Sequence, residues 1–173
     1  IHEAEVAYKN AIKRNKKGTL YYSTLVNLYI CQNRLQEAQD LCFTVVKSGI
    51  ANHLTYLLLG KLCITQGKTN DAINAFQQSI QLDNKNITAH TYLINLLLQA
   101  NQLEEAKNVL AGIISFYPDE LKLKCLTEKI HYKSGNKESA INFIQNILTS
   151  NPSDRNVCLD LGDLCIEMEE YAK

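Results

Sequence analysis

The side chains best equipped for covalent or metal chemistry in this 173-residue chain are six cysteines and four histidines, and their spacing argues against both kinds. Cys31, Cys42, Cys63, Cys125, Cys158 and Cys165 contain no C-x-x-C pair, the spacing that zinc and redox sites use. Six thiols in 173 residues also fall far below a disulfide-dense composition. Free, reduced thiols are expected, which favours a reducing compartment, cytoplasmic or alternatively nuclear. If a pair exists, Cys158 and Cys165, seven apart on one helix face, is where it would form. No H-E-x-x-H, no G-x-S-x-G and no phosphate-cradling glycine loop occurs. The carboxylates run along polar stretches such as Glu104-Glu105 and Glu169-Glu170, and no catalytic pair stands out. No catalytic residue, metal site or cofactor is expected, and the chain is not expected to be an enzyme. What remains is hydrogen-bonding chemistry. Asn27, Lys61, Asn95, Lys129 and Asp163 recur every 34 residues. Asparagine offers donors and an acceptor and lysine offers three donors, so such a ladder is able to hold the backbone of an extended peptide.

The elements that would position this ladder follow from a second series at the same period: Ala4, Ala38, Ala72, Ala106 and Ala140. A period this long signals a stack of supersecondary units in place of one globular core. With that alanine counted as position 20, position 15 reads Asn33, Gly67, Asn101 and Gly135, the residue types that enter the left-handed backbone region where a helix ends in a sharp turn. Segments 20-32, 54-66, 88-100 and 103-115 place apolar residues three and four apart, and no stretch alternates as a strand does. Helices are therefore predicted throughout. With 18 basic and 18 acidic residues the chain is neutral, which removes any bulk electrostatic case for nucleic acid, and no apolar run is long enough for membrane insertion.

Further positions identify a family. Position 7 is Leu25, Leu59, Leu93, Thr127 and Leu161; position 8 includes Gly60 and Gly162; position 11 is Tyr29, Cys63, Leu97, His131 and Cys165. Position 24 is Tyr8, Cys42, Phe76, Leu110 and Ile144, and Pro118 and Pro152 stand at position 32. This pattern resembles the tetratricopeptide repeat. The resemblance implies an all-α, right-handed superhelix (solenoid) of antiparallel helix pairs in 34-residue repeats. It divides the chain into a second helix of a partial repeat at 1-18, repeats at 19-52, 53-86, 87-120 and 121-154, and a first helix at 155-173. The start inside one helix pair and the stop inside another suggest a piece of a longer array. Small residues at position 20, with Gly60 and Gly162, are expected to let paired helices approach closely. His90 and His131 fall at packing positions and are expected in the core, while His2 and His53 are expected in solvent.

In the family, positions 2, 5, 6, 9, 12 and 13 of the first helices line a concave groove. Carried onto this sequence, that gives a peptide-binding groove of Leu20, Ser23, Asn27, Leu54, Leu57, Leu58, Lys61, Thr88, Tyr92, Asn95, Lys122, Lys129, Lys133, Asp160 and Asp163. The ladder either grips a peptide backbone or is simply solvated. Leu54, Leu57, Leu58 and Tyr92, with Ile64 and Leu98 deeper, form a patch able to seat an apolar side chain. The basic rung Lys122, Lys129 and Lys133 and the acidic rung Asp160, Asp163 and Glu167 either neutralise each other or read charges on a ligand. The family's carboxylate clamp for chaperone C-termini is disfavoured, because its best frame, Ser23, Asn27, Leu58, Thr88 and Tyr92, keeps only Asn27. The repeat at 121-154 departs from the pattern with Lys124, Thr127 and Glu128, and its first helix reads as a hinge or as a face another chain covers. A protein-interaction scaffold holding a partner's peptide segment is the expected function. The alternatives are the recognition arm of a larger enzyme, for example a glycosyltransferase, and an architectural subunit, with self-association through the array ends.

Overall fold

The computed structural model describes residues 2-149, 162 and 164-166. Its helices are α1 (His2–Arg14), α2 (Thr19–Cys31), α3 (Leu35–Lys47), α4 (His53–Thr65), α5 (Thr69–Leu82), α6 (Ile87–Gln99), α7 (Leu103–Ile114), α8 (Leu121–Lys133) and α9 (Lys137–Thr149). The predicted first helices are present: those at 20-32, 54-66 and 88-100 are displaced one residue toward the N-terminus, and the fourth begins at Leu121 as expected. No strand occurs among the described residues. The expected helix at 155-173 lies almost wholly outside them.

What ends each first helix is a backbone device repeated at the 34-residue period. Asn33, Gly67, Asn101 and Gly135 take φ of 58°, 69°, 56° and 95°. This lets Arg34, Lys68, Gln102 and Asn136 donate their N–H to the carbonyls of Tyr29, Cys63, Leu97 and His131, five residues back, at 2.8–2.9 Å. That six-to-one bond is the Schellman motif, and three residues separate the two helices at each of these turns. At the other end of the pair, Asn52 caps α4: its Oδ1 accepts from Thr55 N at 3.0 Å while Thr55 Oγ1 accepts from Asn52 N. Asn86 caps α6 through Ala89 N at 3.0 Å.

The contacts divide the chain into two compact units, Ile1–Ala89 and His90–Lys173. In the first, Leu25, Val26, Tyr29, Ala38, Cys42, Leu58 and Leu62 form a continuous core, with Tyr8 and Ile12 of α1 packed against it. Gly60 is needed where it stands, because a Cβ there would lie 2.6 Å from the ring of Phe76, itself wholly buried. Gly162 has no neighbour within 4 Å among the described residues, and the helix it is expected to approach lies outside them. Ala38, Ala72, Ala106 and Ala140 are each 0% exposed, which places every complete alanine rung at a helix-helix contact. In the second unit Cys125, Ile144 and Leu164 are packed together with Phe143 and Ile147.

The described cysteines are free thiols, and burial pushes Cys42 up to about 12. His90 is 3% exposed as expected of a core histidine. His131 is not, since 43% of its side chain is exposed. It is half-buried and faces the Glu128 carboxylate, Nδ1 to Oε2 at 3.3 Å, to which Ser139 Oγ also donates at 2.7 Å. Glu128 therefore meets its polar neighbours across the α8–α9 pair, and α8 is a complete helix at the predicted place.

One charged cluster holds α1 in the first unit. Glu5, 8% exposed, accepts from Arg34 Nη1 at 2.6 Å, from Lys9 Nζ at 2.7 Å and from the Tyr29 hydroxyl at 3.2 Å. The same guanidinium donates to Glu37 Oε1 from Nε at 2.6 Å and lies 4.3 Å from the centroid of the Tyr29 ring. These bonds, the Arg34 contact first and Lys9 next, hold the Glu5 carboxyl at about 2, against an ordinary 4.5. A carboxylate with a lowered value adds stability that is present above the ordinary value and lost as pH falls through the folded one. The attachment of α1 is expected to hold at neutral pH and to weaken between pH 4.5 and about 2. Amide exchange across that range checks it: protection in α1 falls before protection in α4, and Glu5→Gln abolishes the difference in pH response. Loss of both helices together would remove Glu5 as the cause.

Candidate functional site

The first helices α2, α4, α6 and α8 carry the ladder, one polar side chain per helix at position 9. In the first unit Asn27 on α2 is exposed and Lys61 on α4 half-buried. Leu20, about two helical turns before Asn27, is 67% exposed. Ser23 faces inward instead: it is 8% exposed, and its hydroxyl donates to Leu20 O at 2.9 Å. Leu57 and Leu58 are also withdrawn, at 7% and 5%, with Leu58 part of the core beside Leu25 and Val26. The apolar patch is correspondingly reduced. Leu54, Tyr92 and Ile64 are half-buried and Leu98 is buried, while Thr88 is exposed.

In the second unit consecutive rungs touch. Lys129 Nζ on α8 donates to Asn95 Oδ1 on α6 at 3.1 Å, and one helical turn further on Lys133 Nζ donates to Leu98 O at 3.2 Å. Two lysines of the basic rung are thus spent at least in part on tying α8 to α6. Lys122 is exposed, and Lys124 pairs with Asp119 at 3.2 Å. Asp160 and Asp163, with Glu167, lie outside the described residues. No group of histidine, cysteine and carboxylate side chains among the described residues is arranged to hold a metal, and no helix among them is long and apolar enough to cross a membrane.

Sequence reasoning missed the Glu5–Arg34–Glu37 cluster. The signal available was Arg34 itself, an arginine directly after the left-handed turn residue with a glutamate three positions on. Its other partner is 29 residues away and had no local mark.

Short helix pairs closed by identical backbone turns, with a buried alanine and a surface polar rung in each, define a helical repeat solenoid. The profile of the tetratricopeptide repeat family matches residues 64–128, and the chain carries tetratricopeptide repeats there. The chain is 24% identical over 138 residues to the transcription factor tau 131 kDa subunit of Saccharomyces cerevisiae, covering 80% of this chain. It is 26% identical over 122 residues to the BBSome complex member BBS4 of Bos taurus, covering 70%. The chain spans only 14% and 23% of the length of those two relatives. Among solved structures, that of YrrB, described as a tetratricopeptide protein with an unusual peptide-binding site, superposes with a TM-score of 0.69 at 18% identity, over 94% of this chain and 83% of that one. Repeats of this family are in general non-catalytic scaffolds for protein–protein interaction.

Proposed function

We propose that the first helices hold an extended segment of a partner protein, with the position-9 side chains binding its backbone. The observation that carries this reading is the Asn95–Lys129 hydrogen bond. Lysine only donates, so the amide oxygen of Asn95 must face it. The NH2 group of Asn95 then points the other way, and no described residue takes up its two donors. Asn27 is exposed, with its amide equally unengaged among the described residues. Backbone carbonyls of an extended peptide accept from such donors whatever side chains they carry, and the peptide-binding description of YrrB supports the same use of the fold.

The test is capture of partners from an extract of the source organism on wild-type protein and on Asn27→Ala/Lys61→Ala/Asn95→Ala, with helical content checked by circular dichroism. At least one partner is expected to fall about tenfold or more on the triple variant, about 1.4 kcal/mol per tenfold, while helicity is unchanged. Equal capture by both removes the ladder from the binding site.

A second reading, an architectural subunit, is supported by the names of both relatives, one a subunit and one a complex member. Exposed apolar side chains on α9, Ile141 at 44% and Leu148 at 60%, are the kind of surface a neighbouring subunit covers. Equal capture in the experiment above, with the bound proteins lost on Ile141→Ser/Leu148→Ser, is the result this reading requires.

A further inference from the structure

A cleft of about 330 Å³ opens in the first unit on the face made by the second helices, between α3 and α5 with α4 as its floor. The floor is apolar, built from Leu59, Cys63 and Ala75, and Phe43 stands along one side. The volume falls within the roughly 300–1,000 Å³ range of pockets that seat ligands. One of the cleft's lining residues is small. Position 23 of the repeat is Leu41, Val109 and Phe143 in the other complete repeats, and Ala75 here, as it is Ala7 in the partial repeat at 1-18. The truncated side chain leaves a space, and Phe43 is left 44% exposed beside it.

The rim carries hydrogen-bonding groups that the fold does not use. Asp71, Asn74 and Gln78 follow one edge of α5, and none makes a hydrogen bond or ion pair with a described residue. Burial and then the Asp71 carboxylate push the Cys63 thiol up, and Lys68 opposes them. Asn74 and Gln78 are four residues apart on a helix, about 6 Å along its axis. Backbone groups facing the same way in an extended peptide recur every second residue, about 6.6 Å apart. Two primary amides at that spacing suit a peptide backbone better than a compact small molecule.

We infer that this cleft is a docking site for an extended segment of another protein, which seats an aromatic or branched aliphatic side chain beside Phe43 and places a lysine or arginine within two residues of it against Asp71. The apolar side chain fills the space left by Ala75. The basic residue meets the unpaired carboxylate at the rim, and the amides of Asn74 and Gln78 bind the backbone between them. No position-9 side chain lines this cleft, and the inference does not rest on the ladder.

The experiment uses a displayed library of random dodecapeptides, selected on the wild-type 173-residue chain and counter-selected on Ala75→Leu, the side chain that position 23 already carries in the preceding repeat. Enriched peptides are expected to share an apolar residue with a lysine or arginine within two positions. Their affinity is expected to fall tenfold or more on Ala75→Leu and on the surface variant Phe43→Ser, and about three- to tenfold on Asp71→Asn. Asn27→Ala/Asn95→Ala leaves it unchanged. No enrichment over Ala75→Leu, enrichment of acidic flanks, or binding lost only on Asn27→Ala/Asn95→Ala overturns the inference, and the last of these supports the ladder instead. Phe43→Ser and Asp71→Asn alter exposed side chains, so they decide the matter even if Ala75→Leu proves unstable.

Discussion

Phe76→Ala is expected to remove about 3–5 kcal/mol of stability, the largest loss of any single side chain in the first unit. The ring is 0% exposed and is the bulkiest of the fully buried side chains. Its neighbour supplies a second, sharper expectation. Gly60 in the middle of a helix costs about 1 kcal/mol relative to alanine through backbone entropy, so Gly60→Ala on an exposed helix would stabilise. Here the added methyl would come within 2.6–2.9 Å of three atoms of the Phe76 ring, which is rigid and enclosed. Overpacking of about 1–3 kcal/mol outweighs the helix gain, and Gly60→Ala is expected to destabilise. In the Phe76→Ala background the obstacle is gone and Gly60→Ala should stabilise. The four proteins of this double-mutant cycle, unfolded in urea, measure the reversal. A Phe76→Ala loss below about 1 kcal/mol, or a Gly60→Ala effect of the same sign in both backgrounds, contradicts the packing described.

Ala72→Leu is the second large effect, expected to cost about 1–3 kcal/mol. Ala72 is 0% exposed on α5, at the position where the period places alanine in every repeat. Three added carbons have no space to enter, and α5 must shift from its neighbours to admit them. The control is Ala111→Leu on α7, an exposed alanine five positions beyond Ala106, where the change is expected to stay within about 0.5 kcal/mol. Equal melting temperatures for the two variants would mean that the alanine period does not mark the contact.

The backbone of this fold was legible because its causes are local. A residue type that tolerates positive φ stands at each turn inside a repeat, and all four of those turns use it. An alanine at each close contact is a steric requirement that sequence records directly. Side-chain destinations were less legible because they depend on partners far away in sequence. Ser23 and Leu57 share a repeat position, and both are buried, yet for different reasons: a hydroxyl turned onto Leu20 O in one case and apolar packing in the other. Glu128 looked like an unpaired charge until the turn brought Ser139 beside it, eleven residues on. Arg34 and Glu5 are joined across 29 residues, and Lys129 and Asn95 across 34. The cleft at Ala75 is visible only when three helices are in place, since a small residue leaves a space only if nothing nearby fills it.

The turns also bear on how the chain reaches this state. Each Schellman bond closes a loop of only six residues and uses backbone atoms alone. Loop closure on that scale takes tens of nanoseconds and has little entropy to overcome. Every repeat therefore carries its own early nucleus, indifferent to the side chain that follows the turn, whether arginine, lysine, glutamine or asparagine. Because the ordering contacts are short in sequence, assembly is able to begin at any repeat and spread to its neighbours, and the search for the native arrangement does not lengthen with each repeat added.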